Sequence, residues 1–208
     1  MPPTLDYYNQ NAKDYAAKTF DANVSTMLHD FASKLPAHGA VLDVGCGSGR
    51  DTLAFLNRGF NVTAFDASIE LAKIACQAIN HPVHVTTIEN MAWEDEFDGV
   101  WAMASLLHLR KDQLLTAITS CARALKSTGA GQFFASFKLG DGEGIDDKGR
   151  FFSYYQKDEL QQLFESTRYF DCLQISMTED SLGRPELSWL CVVAHLKSGL
   201  DFSRSIAT

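Results

Sequence analysis

"VLDVGCGSGRDTLAFLNRGFNVTAFDAS", residues 41–68, sets three glycines within five residues, with Asp43 just before them and Asp66 well after. The run "AVLDVG" is short, apolar and rich in valine and leucine, the pattern of a strand buried on both faces that enters a tight turn. "DTLAFLNRGF" follows with Leu53, Leu56 and Phe60 at the spacing of one helix face and Gly59 as its stop, and "NVTAFD" is a second strand. The stretch therefore reads as strand, glycine turn, helix, strand. Such a turn points backbone N–H groups at the helix start into open space, and the missing Cβ atoms let a ligand approach the main chain.

The identity of that ligand is constrained by what surrounds the glycines. A dinucleotide site wants G-x-G-x-x-G and a P-loop wants glycine followed by lysine and serine or threonine; Gly45, Gly47 and Gly49 form neither. Asp43, on the strand, would repel a pyrophosphate and hold an ammonium group, while a carboxylate at Asp66 can accept both hydroxyl hydrogens of a ribose. A nucleoside joined to an amino acid, without phosphates, meets both requirements.

Outward from this unit the alternation continues. Ser68 is the N-cap of a helix "SIELAKIACQAI" with Leu71, Ile74, Ala75 and Ala78 inward, then come strand "VHVTTI", strand "FDGVWAMAS", helix "KDQLLTAITSCARALKSTG" and strand "GQFFASF". Upstream, Asp6 to Lys18 and Ala22 to Lys34 read as two helices, the second with Met27, Leu28, Phe31 and Leu35 on one face. Downstream, "KLGDGEGIDDKGRFFSYY" is too polar for core, "QKDELQQLFESTRYF" is a helix, and "DCLQISMTED" and "SWLCVVAHL" are hairpin partners joined by "SLGRPE". The pattern is an α/β fold: a parallel sheet with helices on both faces and an antiparallel end, whose strand C-termini share the ligand-binding edge.

The 208 residues fit one domain without disulfides or metal, and 18 basic against 26 acidic side chains give a net charge of -8, which disfavours nucleic acid and favours small molecules or proteins as partners. No secretory leader and no apolar run of membrane-spanning length is visible, so the chain reads as cytoplasmic. Its five cysteines, Cys46, Cys76, Cys121, Cys172 and Cys191, form no C-x-x-C pair and read as reduced core fillers. "HPVH" offers His81 and His84 without a third ligand, so no metal site is expected.

At this point the chain resembles the class I S-adenosylmethionine-dependent methyltransferases. "VLDVGCGSG" looks like their first motif, "VTAFDAS" the acidic end of their second strand, "FDGVWAMASLLHL" their fourth strand, and "ALKSTGAGQFFASF" the helix, turn and strand after it, with "STGAGQ" in place of the usual glycine pair. The resemblance runs from Tyr7 to Leu196. It implies a three-layer Rossmann-like fold with a seven-stranded, mostly parallel sheet, an antiparallel last strand and an N-terminal helical lid. The single domain then divides into a lid, 1–38, a cofactor-binding core, 39–137, a polar and aromatic insertion, 138–156, and a C-terminal helix and hairpin, 157–208.

The same resemblance implies a cofactor, S-adenosylmethionine, released as S-adenosylhomocysteine. Asp43 with Gly45, Cys46, Gly47, Gly49 and Arg50 would surround its methionine part, Asp66 its ribose, Ala67, Glu89 and Asn90 its adenine, and Met103 and Ala104 its sulfonium, with Tyr15 closing from the lid. Cys46 reads as a small filler, and Arg50, badly placed against a positive helix end, needs a partner such as Asp14 or the cofactor carboxylate. Tyr7, Tyr8, Phe151, Tyr154 and Tyr155 would line the substrate pocket with His108, which is either a general base or a packing residue. The leading expectation is methyl transfer to a small molecule by a monomer or homodimer. The alternatives are a tRNA wobble-uridine type of methyltransferase, for which Lys138, Lys148, Arg150, Lys157 and Arg168 must form one basic face, and a cofactor-binding protein without transfer activity.

Overall fold

A computed structural model describes residues 2–128, 131–200 and 202. The strand of the opening stretch, β1 (Ala40–Val44), is buried because it has parallel neighbours on both sides, β2 (Asn61–Asp66) and β4 (Gly99–Ala102). β3 (His84–Val85) extends the sheet beyond β2 and β5 (Gln132–Leu139) beyond β4, again in parallel. β9 (Ser188–Leu196) runs antiparallel to β5 over Gln132–Lys138, and β8 (Phe170–Glu179) pairs antiparallel with β9. The expected parallel sheet with an antiparallel end is therefore present, and Asp43, Asp66, Ala102 and Leu139 mark its common C-terminal edge.

Two further strands correct the expected count of seven to nine. β6 (Glu143–Ile145) and β7 (Phe151–Tyr155) form an antiparallel hairpin, and β7 joins β5 in parallel at Lys138 and Leu139. β9 fills one edge of β5, and β4 stops at Ala102 opposite Ala135. β7 takes the uncovered remainder of the other edge. The polar segment 138–156 folds because Phe152 and Tyr155 are buried while its glycines and charges occupy the bends.

Each sheet face carries its own apolar layer. Leu42, Val100, Phe133 and Ala135 pack with α6 (Lys111–Ala124) and α7 (Lys157–Thr167), whereas Val41, Trp101 and Phe134 pack with α3 (Ser25–Ala32) and α4 (Arg50–Leu56). α5 (Ile69–Ile79) lies beside α4, where a Cβ on Gly49 would meet Ala75 and Ile79 at 3.1 Å. Among the described residues no helix is long and apolar enough to cross a membrane.

Several local expectations are corrected. The first helix divides into α1 (Pro2–Gln10) and α2 (Ala12–Thr19), because Asn11 turns both its backbone N–H and its Nδ2 onto the Tyr7 carbonyl. α4 buries Asp51, Thr52 and Phe55, not the Leu53, Leu56 and Phe60 face, because its inward surface is polar and serves the site described below. In α5, Ala78 is exposed and Ile79 is buried. The expected strand "VHVTTI" keeps two strand residues before a 3-10 turn at Ile88–Asn90. Cys46, Cys121 and Cys191 are buried as expected, whereas Cys76 and Cys172 are exposed. Met1, Gly129 and Ala130 of the "STGAGQ" turn, Asp201 and residues 203–208 lie outside the described residues, and with them the outermost parts of the expected lid and C-terminal segments.

Candidate functional site

The turn after β1 satisfies most of its own hydrogen bonds. The N–H groups of Gly45 and Cys46 both donate to the Phe65 carbonyl at 2.9 Å, that of Gly47 to Asp66 Oδ2 at 2.8 Å, and that of Gly49 to the Cys46 carbonyl at 3.0 Å. These N–H groups are thus engaged rather than open to a ligand. What the turn offers instead is bare backbone beside two carboxylates.

Asp66 closes β2 at 9% exposure and is held from below, accepting Gly47 N–H on one oxygen and Ser68 N–H on the other, each at 2.8 Å. Burial raises its pKa against the lowering by those two donors. Each oxygen keeps a free lone pair, which is what a pair of vicinal hydroxyls requires. Asp43 sits deeper, 2% exposed, with Oδ2 accepting the Thr52 hydroxyl at 2.6 Å. Burial, and then repulsion from Asp51, push its pKa up to about 8.

Asp51 gathers the polar inner face of α4. It takes a two-pronged bond from Arg50, at 2.7 and 3.0 Å, and the Trp101 indole N–H at 2.9 Å. Arg50 thus finds its partner in the next residue, with the Thr19 carbonyl at 3.4 Å, while Asp14 is exposed and assigned no bond to it. Asp51 and Thr52 were missed because a helical periodicity of apolar residues cannot mark a buried polar stripe.

Beyond β4 the chain folds back over the cavity. Ala104 adopts a left-handed φ of +51° and is held there by its N–H on Ser136 Oγ at 2.8 Å, with Met103 Sδ 3.2 Å from the same hydroxyl. Strained backbone of this kind gathers at functional sites. A 3-10 turn, Leu106–His108, then brings His108 under α1. Its Nδ1 faces the Phe151 carbonyl at 2.7 Å, which can only accept, so Nδ1 carries the proton and Nε2 accepts the Tyr8 hydroxyl at 2.9 Å. Burial lowers the His108 pKa to about 4. The imidazole is neutral at physiological pH and its lone pair is taken.

Four bonds tie α1 across the open edge: Tyr8 to His108, Ser68 Oγ and Glu70 N–H to Asn9 Oδ1 at 2.7 and 3.4 Å, and Phe151 N–H to Thr4 Oγ1 at 2.8 Å. Tyr15 approaches the turn from α2, within 3.6 Å of where a Gly47 Cβ would lie. The cavity consequently has two lobes that share Gly45, Gly47, Ala104, His108 and the two tyrosines. One lobe holds Asp66, Ala67, Thr87 and Ile88; the other holds Asp43, Cys46, Arg50, Met103, Ser136 and Lys138.

Most of the expected site residues meet there, and some do not. Glu89 and Asn90 are exposed in the 3-10 turn, and Thr87 and Ile88 just before them line the lobe. Of the insertion aromatics, Phe152 lines the cavity; Tyr155 packs edge-on against Phe137, the Tyr154 ring centre is 5.8 Å from Lys138 Nζ, and Phe151 contributes its carbonyl to His108. Tyr7 lies outside the lining and packs on the Arg150 guanidinium, 5.1 Å from its ring centre. The Cys46 thiol is pushed well up by burial and then by Asp43, which suits a filler and not a nucleophile. Lys138 and Arg150 turn into the cavity while Lys148, Lys157 and Arg168 are exposed, so the five do not share one basic face. His81 bonds the Val62 carbonyl at 2.8 Å, and His84 packs on Trp93.

Against this geometry, residues 41–129 match the family model described as "Methyltransferase domain". The match spans the glycine turn, both site carboxylates and Ala104, and stops before β5. An uncharacterized methyltransferase of Staphylococcus carnosus is 24% identical over 83% of this chain and 85% of its own length. A ubiquinone biosynthesis O-methyltransferase of Xanthomonas campestris is 36% identical over 106 residues, 47% of this chain, and the match takes in 44% of that relative. The fold is shared with 1,6-didemethyltoxoflavin-N1-methyltransferase of Burkholderia thailandensis, crystallised with 1,6-didemethyltoxoflavin and S-adenosylhomocysteine, at TM-score 0.67, 22% identity and coverage of 94% of this chain and 91% of that one. The matched segment supplies the glycine turn, Asp43, Asp66 and Ala104. Tyr8, Tyr15, Ser136, Lys138, Arg150, Arg184 and Trp189 all come from outside the matched segment.

Proposed function

We propose that the chain is an S-adenosylmethionine-dependent methyltransferase that acts on a small molecule. The observation that carries the reading is the pair of buried carboxylates, Asp43 and Asp66, set on either side of a turn whose Gly45 and Gly47 leave backbone bare toward both lobes. This donor set fits the cofactor: Asp66 would hold the ribose hydroxyls, Ala67, Thr87 and Ile88 would flank the adenine, Asp43 would face the methionine ammonium, and Met103 and Ala104 would lie by the sulfonium. A ligand that reaches both carboxylates must pass Tyr8 and Tyr15, which makes α1 and α2 its cover. The chemistry the cofactor supplies when bound is an electrophilic methyl group on sulfur.

The protein's own work is then alignment and exclusion of water, which can contribute about 7–11 kcal/mol. His108 suits the cover better than proton transfer, because a base with a pKa of about 4 is poorly matched to neutral pH. His108→Asn is expected to raise the dissociation rate of S-adenosylhomocysteine about tenfold, the scale of one buried hydrogen bond. Stopped-flow release checks this. A pH–rate inflection near neutrality that vanishes in the variant would instead make His108 a general base.

Asp43 gives the binding step a pH signature. Its raised pKa means that the free protein keeps the proton below about pH 8 and loses stability as pH rises from the ordinary carboxylate value of about 4 up to about 8, levelling above. An arriving ammonium favours the carboxylate, so binding releases up to about one proton and tightens as pH climbs toward 8. Calorimetry in two buffers of different ionisation heat reads the proton directly, and Asp43→Asn should abolish it. The activity is tested by offering labelled cofactor and a metabolite extract: acceptor-dependent S-adenosylhomocysteine supports transfer, and binding without turnover for any acceptor leaves a binding protein.

A further inference from the structure

The lobe beyond Met103 contains a cation without a counter-charge. Lys138 is 8% exposed, and among the described residues its Nζ has neither an ion-pair nor a hydrogen-bond partner. The two carboxylates whose charge acts on it are already committed: Asp146 to Arg150 at 2.6 Å, and Asp180 to Arg184 at 2.6 Å and to the Trp189 indole at 2.9 Å. The ammonium instead lies 3.4 Å from the centre of the Phe152 ring. Burial, and then repulsion by Arg150 and Arg184, lower its pKa to about 8, so it stays largely charged near neutrality at an energetic cost.

Lys138 also stands at a measured place relative to the reacting end of the cavity. It follows Ser136 by two residues on the same face of β5, about 7 Å along the strand. Ser136 Oγ is the group that holds Met103 and Ala104. Trp189 is the register partner of Lys138 on β9, and Tyr154 is its partner on β7. The ammonium is thus walled by aromatic rings and opens on the cavity, in a protein whose net charge of -8 gives no general reason to bury a lone cation. An unpaired buried charge calls for a ligand of opposite sign.

We propose that Lys138 anchors an oxyanion of the methyl acceptor, so that the acceptor is a small molecule carrying a carboxylate or phosphate one strand step from the atom that receives the methyl group. This rests on the methyltransferase reading for the word acceptor; the anion site itself rests on Lys138 alone. Arg150 and Arg184, each held by its own carboxylate through Nε and Nη2, add positive field to the same lobe.

The test uses the full chain, with and without saturating S-adenosylhomocysteine, titrated calorimetrically with two matched pairs: benzoate against benzamide, and phenyl phosphate against phenol. At least one anion is expected to bind about tenfold or more tightly than its neutral counterpart. That preference should fall below about twofold in Lys138→Met and persist in Lys138→Arg, with affinity for S-adenosylhomocysteine unchanged in both. The carboxylate and phosphate arms tell the two oxyanions apart. No anion preferred by the unmodified chain, or a preference that survives Lys138→Met, overturns the proposal. Failure of S-adenosylhomocysteine to bind the unmodified chain overturns the cofactor reading instead, while the arms without it still report on Lys138.

Discussion

Asp66→Ala is expected to weaken S-adenosylhomocysteine binding by about 2–4 kcal/mol, roughly 30- to 1000-fold in Kd. Two losses combine. The ribose hydroxyls lose charged acceptors, and the N–H groups of Gly47 and Ser68, each now 2.8 Å from a carboxylate oxygen, are left without their partner at the mouth of the site. Asp66→Asn keeps one acceptor oxygen and should fall between the two. Calorimetric titration checks both, and an unchanged Kd in the alanine variant removes Asp66 from the ligand.

Gly45→Ala is expected to act on the fold as well as on the site. The added Cβ would lie 2.6 Å from the Ser105 Cβ, and the backbone holds φ at +72°, where an L side chain is strained. About 1–2 kcal/mol for the left-handed backbone and about 1–3 kcal/mol for the overpacking give a loss of roughly 2–5 kcal/mol in denaturant unfolding. A second change, Ser105→Gly, should recover only the overpacking share. The pair separates clash from strain, and a Gly45→Ala variant as stable as the parent would mean that the turn is looser than its hydrogen bonds to Phe65 imply.

The strand, turn and helix around Gly45 were legible because their signals are local: an apolar run, positive-φ glycines and a carboxylate at each strand end. The antiparallel end was legible for a similar reason, since two strands joined by a short polar turn have one way to pair. The acceptor lobe was not. Lys138 meets Trp189 only through the register of β5 with β9, and it meets Phe152 through a hairpin whose turns carry most of its polar residues. Lys138 and Arg150 looked like surface charges because nothing in a linear pattern tells a cation that faces a cavity from one that faces solvent. Glu89 and Asn90 are exposed because the strand ends early at Val85 and both fall in the following 3-10 turn. The inner face of α4 defeated the apolar periodicity because Asp51 and Thr52 are buried by the bonds they make to Arg50, Trp101 and Asp43.

Residues 41–129 carry the family's match, whereas the groups proposed to choose an acceptor lie on either side of it. Relatives that share the central segment can therefore share a cofactor while differing in what they methylate, and Lys138 is the position at which this chain's own preference should be read.

A crystal structure of the protein with S-adenosylhomocysteine is the most direct measurement. The ribose hydroxyls should lie within hydrogen-bond distance of the Asp66 carboxylate, with the amino-acid end running past Tyr15 toward Asp43. A ligand that leaves Asp66 bonded only to Gly47 and Ser68, or that binds outside the two lobes, would contradict the account.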